Sequence, residues 1–210
     1  MTDAATFWDK AAPKYAQDPI KDMAAYEYTL ERTKSYLGAN DRVLEMGCGT
    51  GSTALLLAPH VRDIIGTDLS PAMVDIARAK ADAGGIKNAS FRVATASESA
   101  KLSDPVNAVL GFNLFHLMRG AEDIFADVYK MLPKGGYFIT KTPCLGDRSF
   151  GFRRHPIKLA VAVMQMFGKA PYVCFLTQKE LEDALEFAGF EIVEAGNFPS
   201  ISRYVVAKRA

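Results

Sequence analysis

The chain of 210 residues is poor in several residue types, and each shortage excludes something. It has three cysteines, three histidines and one tryptophan. An odd cysteine count without CxxC spacing excludes a disulfide framework and a zinc site, and no other metal-ligand constellation is visible. Free thiols suit a cytoplasmic protein. No charge of either sign is in excess, with 25 Lys+Arg against 24 Asp+Glu. With no basic stripe and no appended recognition module, a nucleic-acid partner is not expected. No uncharged apolar run reaches the roughly 18 residues that a transmembrane helix needs. Met1–Ala5 lacks the basic region followed by an apolar one that a secretory signal would show.

What is present centres on Val43-Leu44-Glu45-Met46-Gly47-Cys48-Gly49-Thr50-Gly51. An apolar run is cut by three glycines at alternate positions and then passes into Ser52-Thr53-Ala54-Leu55-Leu56, which reads as a helix start. Glycines allow positive φ and leave no side chain between backbone and ligand. The helix start adds unpaired N–H groups that suit an acidic group. Glu45 lies inside the strand, where a purely structural strand favours a β-branched residue. A second apolar run, Ile64-Ile65-Gly66-Thr67, ends in Asp68, about 20 positions on, where a ribose diol is held in nucleotide-binding sheets. The ligand predicted is a nucleoside. A dinucleotide fingerprint needs a third glycine at position 52, which is Ser52, and a phosphate-binding P-loop needs a lysine that this turn lacks.

The string Val-Leu-Glu-x-Gly-Cys-Gly-Thr-Gly, followed by Asp68-Leu69-Ser70-Pro71-Ala72-Met73, resembles motif I and the following acidic motif of the class I S-adenosylmethionine-dependent methyltransferases. The resemblance implies S-adenosyl-L-methionine as cofactor, held by Glu45, Gly47, Cys48, Gly49, Thr50, Gly51, Asp68 and Leu69. A carboxylate at Glu45 suits the ammonium and sulfonium of that ligand. Met73 is placed against the adenine, with ordinary core packing as the alternative. Family members often carry Gly-Asp-Ala after the third strand. Here the stretch is Ala94-Thr95-Ala96-Ser97, so Thr95 and Ala96 take those positions with a weaker acceptor than a carboxylate.

The remaining order agrees with a doubly wound, Rossmann-like α/β fold. We expect seven strands, the last one antiparallel because too few residues separate Phe190–Glu194 from Ser202–Ala207 for a crossover. Residues 1–38 form an N-terminal helical segment broken at Pro19, and residues 39–210 the methyltransferase domain. Phe7, Trp8, Ala11, Ala12 and Tyr15 share a helix face. In similar members of the ubiquinone/menaquinone C-methyltransferase branch this segment is a lid, and Tyr15 matches the tyrosine facing the site. The alternative is a helix that only packs on the domain.

Strand 4, over Val106–Phe112, runs into Asn113-Leu114-Phe115-His116. These lie at the C-terminal strand edge, where open α/β sheets bind ligands. His116 is the candidate base, with Tyr15 and Asn113 orienting the acceptor and Asn113 also near the cofactor. No Asn/Asp-Pro-Pro-Tyr tetrad is present, which argues against amino-group methylation of DNA bases. Lys141, at the end of strand 5, is expected to reach water, with a substrate contact as the alternative. A cover insertion over about 146–175 carries Arg148, Arg153, Arg154, His155 and Lys158 ahead of the apolar stretch Leu159–Phe167. It reads as a buried cover or homodimer face, with a membrane surface less favoured. The function expected is methyl transfer to a small molecule with an O, N, S or C nucleophile. The alternatives are a peripheral membrane enzyme acting on a lipid headgroup or quinol precursor, and a non-catalytic cofactor-binding protein.

Overall fold

The computed structural model of the chain describes residues 4–102, 105–147 and 154–210. Five parallel strands form first: β1 (Arg42–Met46), β2 (Asp63–Asp68), β3 (Ala89–Val93), β4 (Ala108–Phe112) and β5 (Tyr137–Pro143). Then β6 (Phe190–Asn197) and β7 (Ser202–Arg209) close one sheet in the order β3-β2-β1-β4-β5-β7-β6, with β7 antiparallel to both neighbours. The expected seven strands and antiparallel closure are both present.

Helices cover both faces: α1 (Ala4–Tyr15), α2 (Met23–Lys34), α3 (Ser52–Leu57), α4 (Pro71–Ala83), α5 (Ala96–Ser99), α6 (Ala121–Met131), α7 (Arg154–Met166) and α8 (Gln178–Phe187). The central strands are apolar on both sides because both faces are buried. Successive residues of β1 serve opposite layers. Leu44 and Met46 join Phe115, Phe125, Phe138 and Leu181 beneath α6 and α8. Val43 joins Leu30, Ala54, Leu57, Val74, Ile139 and Tyr204 beneath α2, α3 and α4.

Two expectations shift. Strand 4 begins at Ala108, not Val106. The short helix α5 was not expected, yet its sequence signal exists. The Thr95 hydroxyl accepts the Glu98 amide, and the Glu98 carboxylate accepts the Thr95 amide, which is a capping box.

The two N-terminal helices are held differently. α2 is built into the body: Thr29, Leu30 and Thr33 are buried, and the Thr33 and Tyr204 hydroxyls share a hydrogen bond of 3.2 Å. Glu194 of β6 accepts from Arg32 and from the Tyr36 hydroxyl. By contrast α1 buries only Ala12. Its polar anchor is Asp9, whose Oδ1 accepts from the Ser70 hydroxyl at 2.6 Å and the Ala72 amide at 3.1 Å. A carboxylate at the first turn of α4 also complements that helix's dipole. Among the described residues no helix is long and apolar enough to cross a membrane, and no group of His, Cys, Asp and Glu could hold a metal ion.

Candidate active site

β1 delivers Glu45 to the C-terminal edge of the sheet and then turns through Gly47, Gly49 and Gly51, all with positive φ. At Gly51 (φ 74°) a Cβ would lie 2.8 Å from Ala77 Cβ and from the Phe91 ring, so the glycine lets α3, α4 and β3 meet. At Gly49 (φ 52°) the nearest contact for a Cβ is the Tyr15 ring, at 3.6 Å, because this glycine faces a cavity.

That cavity has a volume of about 570 Å³ and lies over the C-terminal edge of β1, β4 and β5. This is within the range of small-molecule sites. Of the expected residues, Tyr15, Glu45, Gly47, Cys48, Gly49, Thr50 and Asn113 line it. The other wall comes from the segment between α1 and α2, from Tyr26, Thr29 and Leu30 of α2, and from Lys141, Pro143, Ile201 and Ser202. Sequence reasoning places acceptor-pocket positions within residues 1–30, 113–120 and 143–175, which includes Asp18–Asp22; it missed the β6–β7 turn, because only the folded topology carries that turn to this edge.

Glu45 is 3% exposed, and its Oε2 has no hydrogen-bond partner. Burial pushes its carboxyl up to about 8; the Ala54 amide pulls it down and the nearby Asp68 charge raises it further. Such a group is costly to ionise alone and stabilising beside a cation. Cys48 is held as a neutral thiol by burial and by the same two carboxylates. Asp68 stands behind the turn. Its Oδ2 accepts the Gly49 amide and its Oδ1 the Ser70 amide, each at 2.9 Å. A carboxylate has about four acceptor sites, so capacity remains for a diol. Burial raises its carboxyl, opposed by those amides.

Gly51, Asp68, Leu69, Met73, Thr95 and Ala96 are not on the cavity wall. Asp9 seats α1 on the start of α4 beside Asp68–Met73, and the Met73 side chain is 2% exposed. The Thr95 hydroxyl is engaged in its helix cap. His116 also lies off the wall, in the 3₁₀ turn Phe115–Leu117. Its Nδ1 is buried without a partner, and burial lowers the imidazole to about 4. Asn113 does reach the wall, with φ 54°, and its amide donates to the Lys141 carbonyl at 2.7 Å. Lys141 corrects the expectation that it reaches water. It is 8% exposed, its Nζ donates to the Thr29 hydroxyl at 3.3 Å, and it lies 5.7 Å from the centre of the Tyr26 ring.

A glycine turn lined by an unpaired buried carboxylate, with a second carboxylate pinned behind it, fits a nucleoside bearing a cationic end. On this fold, that defines the class I methyltransferase architecture. The chain belongs to the methyltransferase-domain family, which it matches over residues 8–195. It is 26% identical over 200 residues to the ubiquinone biosynthesis O-methyltransferase of Azorhizobium caulinodans, covering 90% of this chain and 78% of that protein. It is 30% identical over 101 residues to the uncharacterized methyltransferase YcgJ of Bacillus subtilis, covering 48% of this chain but only 40% of that one. Among solved structures, that of YcgJ superposes with a TM-score of 0.68 at 16% identity, covering 88% of this chain and 99% of that one. Geranyl diphosphate C-methyltransferase from Streptomyces coelicolor superposes with a TM-score of 0.71 at 16% identity, covering 89% and 77%. The protein is an S-adenosylmethionine-dependent methyltransferase.

Proposed function

We propose that this chain catalyses O-methyl transfer from S-adenosyl-L-methionine to a small hydroxylated acceptor held between β5 and α2. The observation that carries this reading is a cavity whose wall runs from the glycine turn to Tyr26, Thr29 and Lys141. The likeness to ubiquinone biosynthesis O-methyltransferases over 90% of the chain supports oxygen as the acceptor atom and a quinol precursor as the model acceptor.

The cofactor supplies an activated methyl group, so the protein's task is to position the pair and exclude water. In this reading Glu45 faces the cationic end of the cofactor, the backbone of Gly47–Gly51 lies along it, and Asp68 meets the ribose. Tyr15 of α1 covers the turn and Asn113 orients the acceptor. Within the N-terminal segment α1 supplies the lid, while α2 stays fixed to the body.

The test is calorimetric titration of S-adenosylmethionine and S-adenosylhomocysteine into wild type and Asp68→Ala, with transfer assays on phenols, thiols and amines. Micromolar binding lost in the variant, with turnover of phenols, is the expected result. Binding without turnover of any acceptor favours a non-catalytic cofactor-binding protein instead.

A second reading places the enzyme at a membrane surface. α7 turns an apolar arc outwards, with Leu159 68%, Met166 83% and Phe167 72% exposed, while Ile157, Val161 and Gln165 face the domain. Lys158 flanks the arc; Arg148 and Arg153 of the basic cluster lie outside the described residues. Co-sedimentation with anionic vesicles at low salt tests this. Its loss in Leu159→Glu/Phe167→Glu supports it, and no sedimentation of wild type removes it.

A further inference from the structure

At the end of the cavity toward the glycine turn stand the carboxylates of Glu45 and, behind the turn, Asp68. The facing wall carries Asp18, Lys21 and Asp22 and, at the end of β5, the ammonium of Lys141. Among the described residues it forms no ion pair, and it is buried beneath α2. Its three N–H donors have one protein acceptor, the Thr29 hydroxyl, whose own proton is directed at the carbonyls of Ala25 and Tyr26. The Tyr26 ring adds a weak cation–π contact at 5.7 Å. Asp22, on the same wall, attracts it only at a distance, and burial drives the lysine below its ordinary range. A buried cation with this little compensation is destabilising unless something else completes its shell.

Topology puts this cation where the acceptor must be. Lys141 pairs with Phe112 of β4, and β4 pairs with β1, so Lys141 stands two strands from the strand that feeds the glycine turn. Two strand spacings are about 10 Å, within reach of a lysine side chain and a small aromatic acceptor together.

Building on the assignment of this cavity to methyl transfer, we propose that Lys141 is the acceptor-binding residue and that it holds the acceptor as an oxyanion, a phenolate or a carboxylate. The acceptor's O–H loses its proton to solvent before transfer, and the Lys141 ammonium holds the resulting oxyanion. An oxygen lone pair then makes the new O–C bond as the C–S bond breaks, and that electron pair stays on sulfur. No proton remains to be removed in the transfer step, so no histidine is needed on the wall. A cationic donor beside Glu45 and an anionic acceptor on Lys141 attract each other, and their neutral products do not, which favours release.

The decisive probe is para-nitrophenol, whose ionisation is read from its absorbance, titrated with S-adenosylhomocysteine present against wild type, Lys141→Met and Lys141→Arg. In wild type the bound phenol should ionise about one to two pH units below the free phenol. Lys141→Arg should keep that displacement and Lys141→Met should lose it, together with about hundred-fold in kcat/KM for phenols. Affinity for S-adenosylhomocysteine, measured by calorimetry, should stay within about two-fold in both variants, which also reports that they fold. Benzoate is the second arm. If it binds in a Lys141-dependent manner and the phenol does not, the oxyanion is a carboxylate. Failure of wild type to bind S-adenosylhomocysteine would remove the methyl-transfer reading, while the para-nitrophenol titration still decides the role of Lys141. An ionisation midpoint unchanged on binding to wild type, or equal in wild type and Lys141→Met, with benzoate binding also indifferent to the substitution, overturns the proposal.

Discussion

At the residue scale, the glycine turn and its carboxylate bear opposite costs. Gly51 combines φ 74° with van der Waals crowding, so Gly51→Ala carries left-handed strain of about 1–2 kcal/mol and overpacking of about 1–3 kcal/mol. Gly85 has a similar φ, 63°, but nothing within 4 Å of a Cβ, so Gly85→Ala should lose only about 1 kcal/mol. Urea denaturation separates the two. Glu45 works through protonation. Its folded value of about 8 exceeds the ordinary 4.5 because of burial, so the folded state binds the extra proton between those values. Stability from this group is therefore full below about pH 4.5 and is lost as pH rises through about 8. Glu45→Gln should raise the thermal midpoint of the unliganded protein at pH 8 and leave it nearly unchanged at pH 4. A cationic ligand reverses the preference and expels that proton. Wild-type affinity for S-adenosylmethionine should then rise with pH up to about 8, by at most about ten-fold per pH unit, with calorimetric heats that depend on the buffer. Glu45→Gln should bind more weakly and show a smaller pH dependence. Equal pH profiles for the two proteins would exclude Glu45 as the group that answers the ligand's charge.

At the scale of elements, the informative contrast is between α1 and α2. The helix α2 carries buried threonines and a half-buried ion-pair network to β6, whereas α1 is latched to α4 by the single carboxylate of Asp9. A helix with one buried residue and one polar anchor belongs to the low-stability end of a fold, where moving parts are found. Trp8, the one tryptophan in the sequence, lies on this helix with its ring centre 6.2 Å from that of Tyr15, which in turn covers Gly49. Its fluorescence is therefore a direct reporter of α1. In stopped-flow mixing with S-adenosylhomocysteine, Asp9→Ala should raise both association and dissociation rates several-fold, because the latch beside Asp68 is loosened in the free and the bound states. Limited proteolysis should also cut the variant faster between residues 16 and 22. If the Trp8 signal is silent on binding and neither rate moves, α1 is a fixed wall.

At the scale of the molecule, what the sequence disclosed followed the range of the forces involved. Strand–turn–helix order, the antiparallel closure and the ligand class were legible because they rest on local patterns, such as the Val43–Gly51 string and the Ser70-Pro71 helix start. The burial of Lys141 was not. A lysine at a strand end ordinarily reaches water, and only the packing of α2 across β5, about 110 residues away in sequence, closes that route. His116 was only half legible in its placement. It lies at the correct sheet edge, but the turn Phe115–Leu117 carries its ring off the cavity wall. The cavity itself gathers segments from residues 15 to 202, so a ligand that fills it ties together elements that otherwise meet only through the sheet. Such a ligand stabilises the whole cooperative unit by RT ln(1 + [L]/Kd), about 2.7 kcal/mol at a hundred-fold excess over Kd. For a chain of this length that corresponds to a rise of about 5–11 °C in thermal midpoint. Wild type should show that rise with S-adenosylhomocysteine by scanning calorimetry, in one transition. Asp68→Ala should show almost none, because Asp68 pins the glycine turn through the Gly49 amide, and Lys141→Met should retain it, because Lys141 lies on the cavity wall away from that turn. A rise confined to one of two resolved transitions would mean that residues 1–38 unfold apart from the sheet, and would assign the ligand's grip to the glycine turn alone.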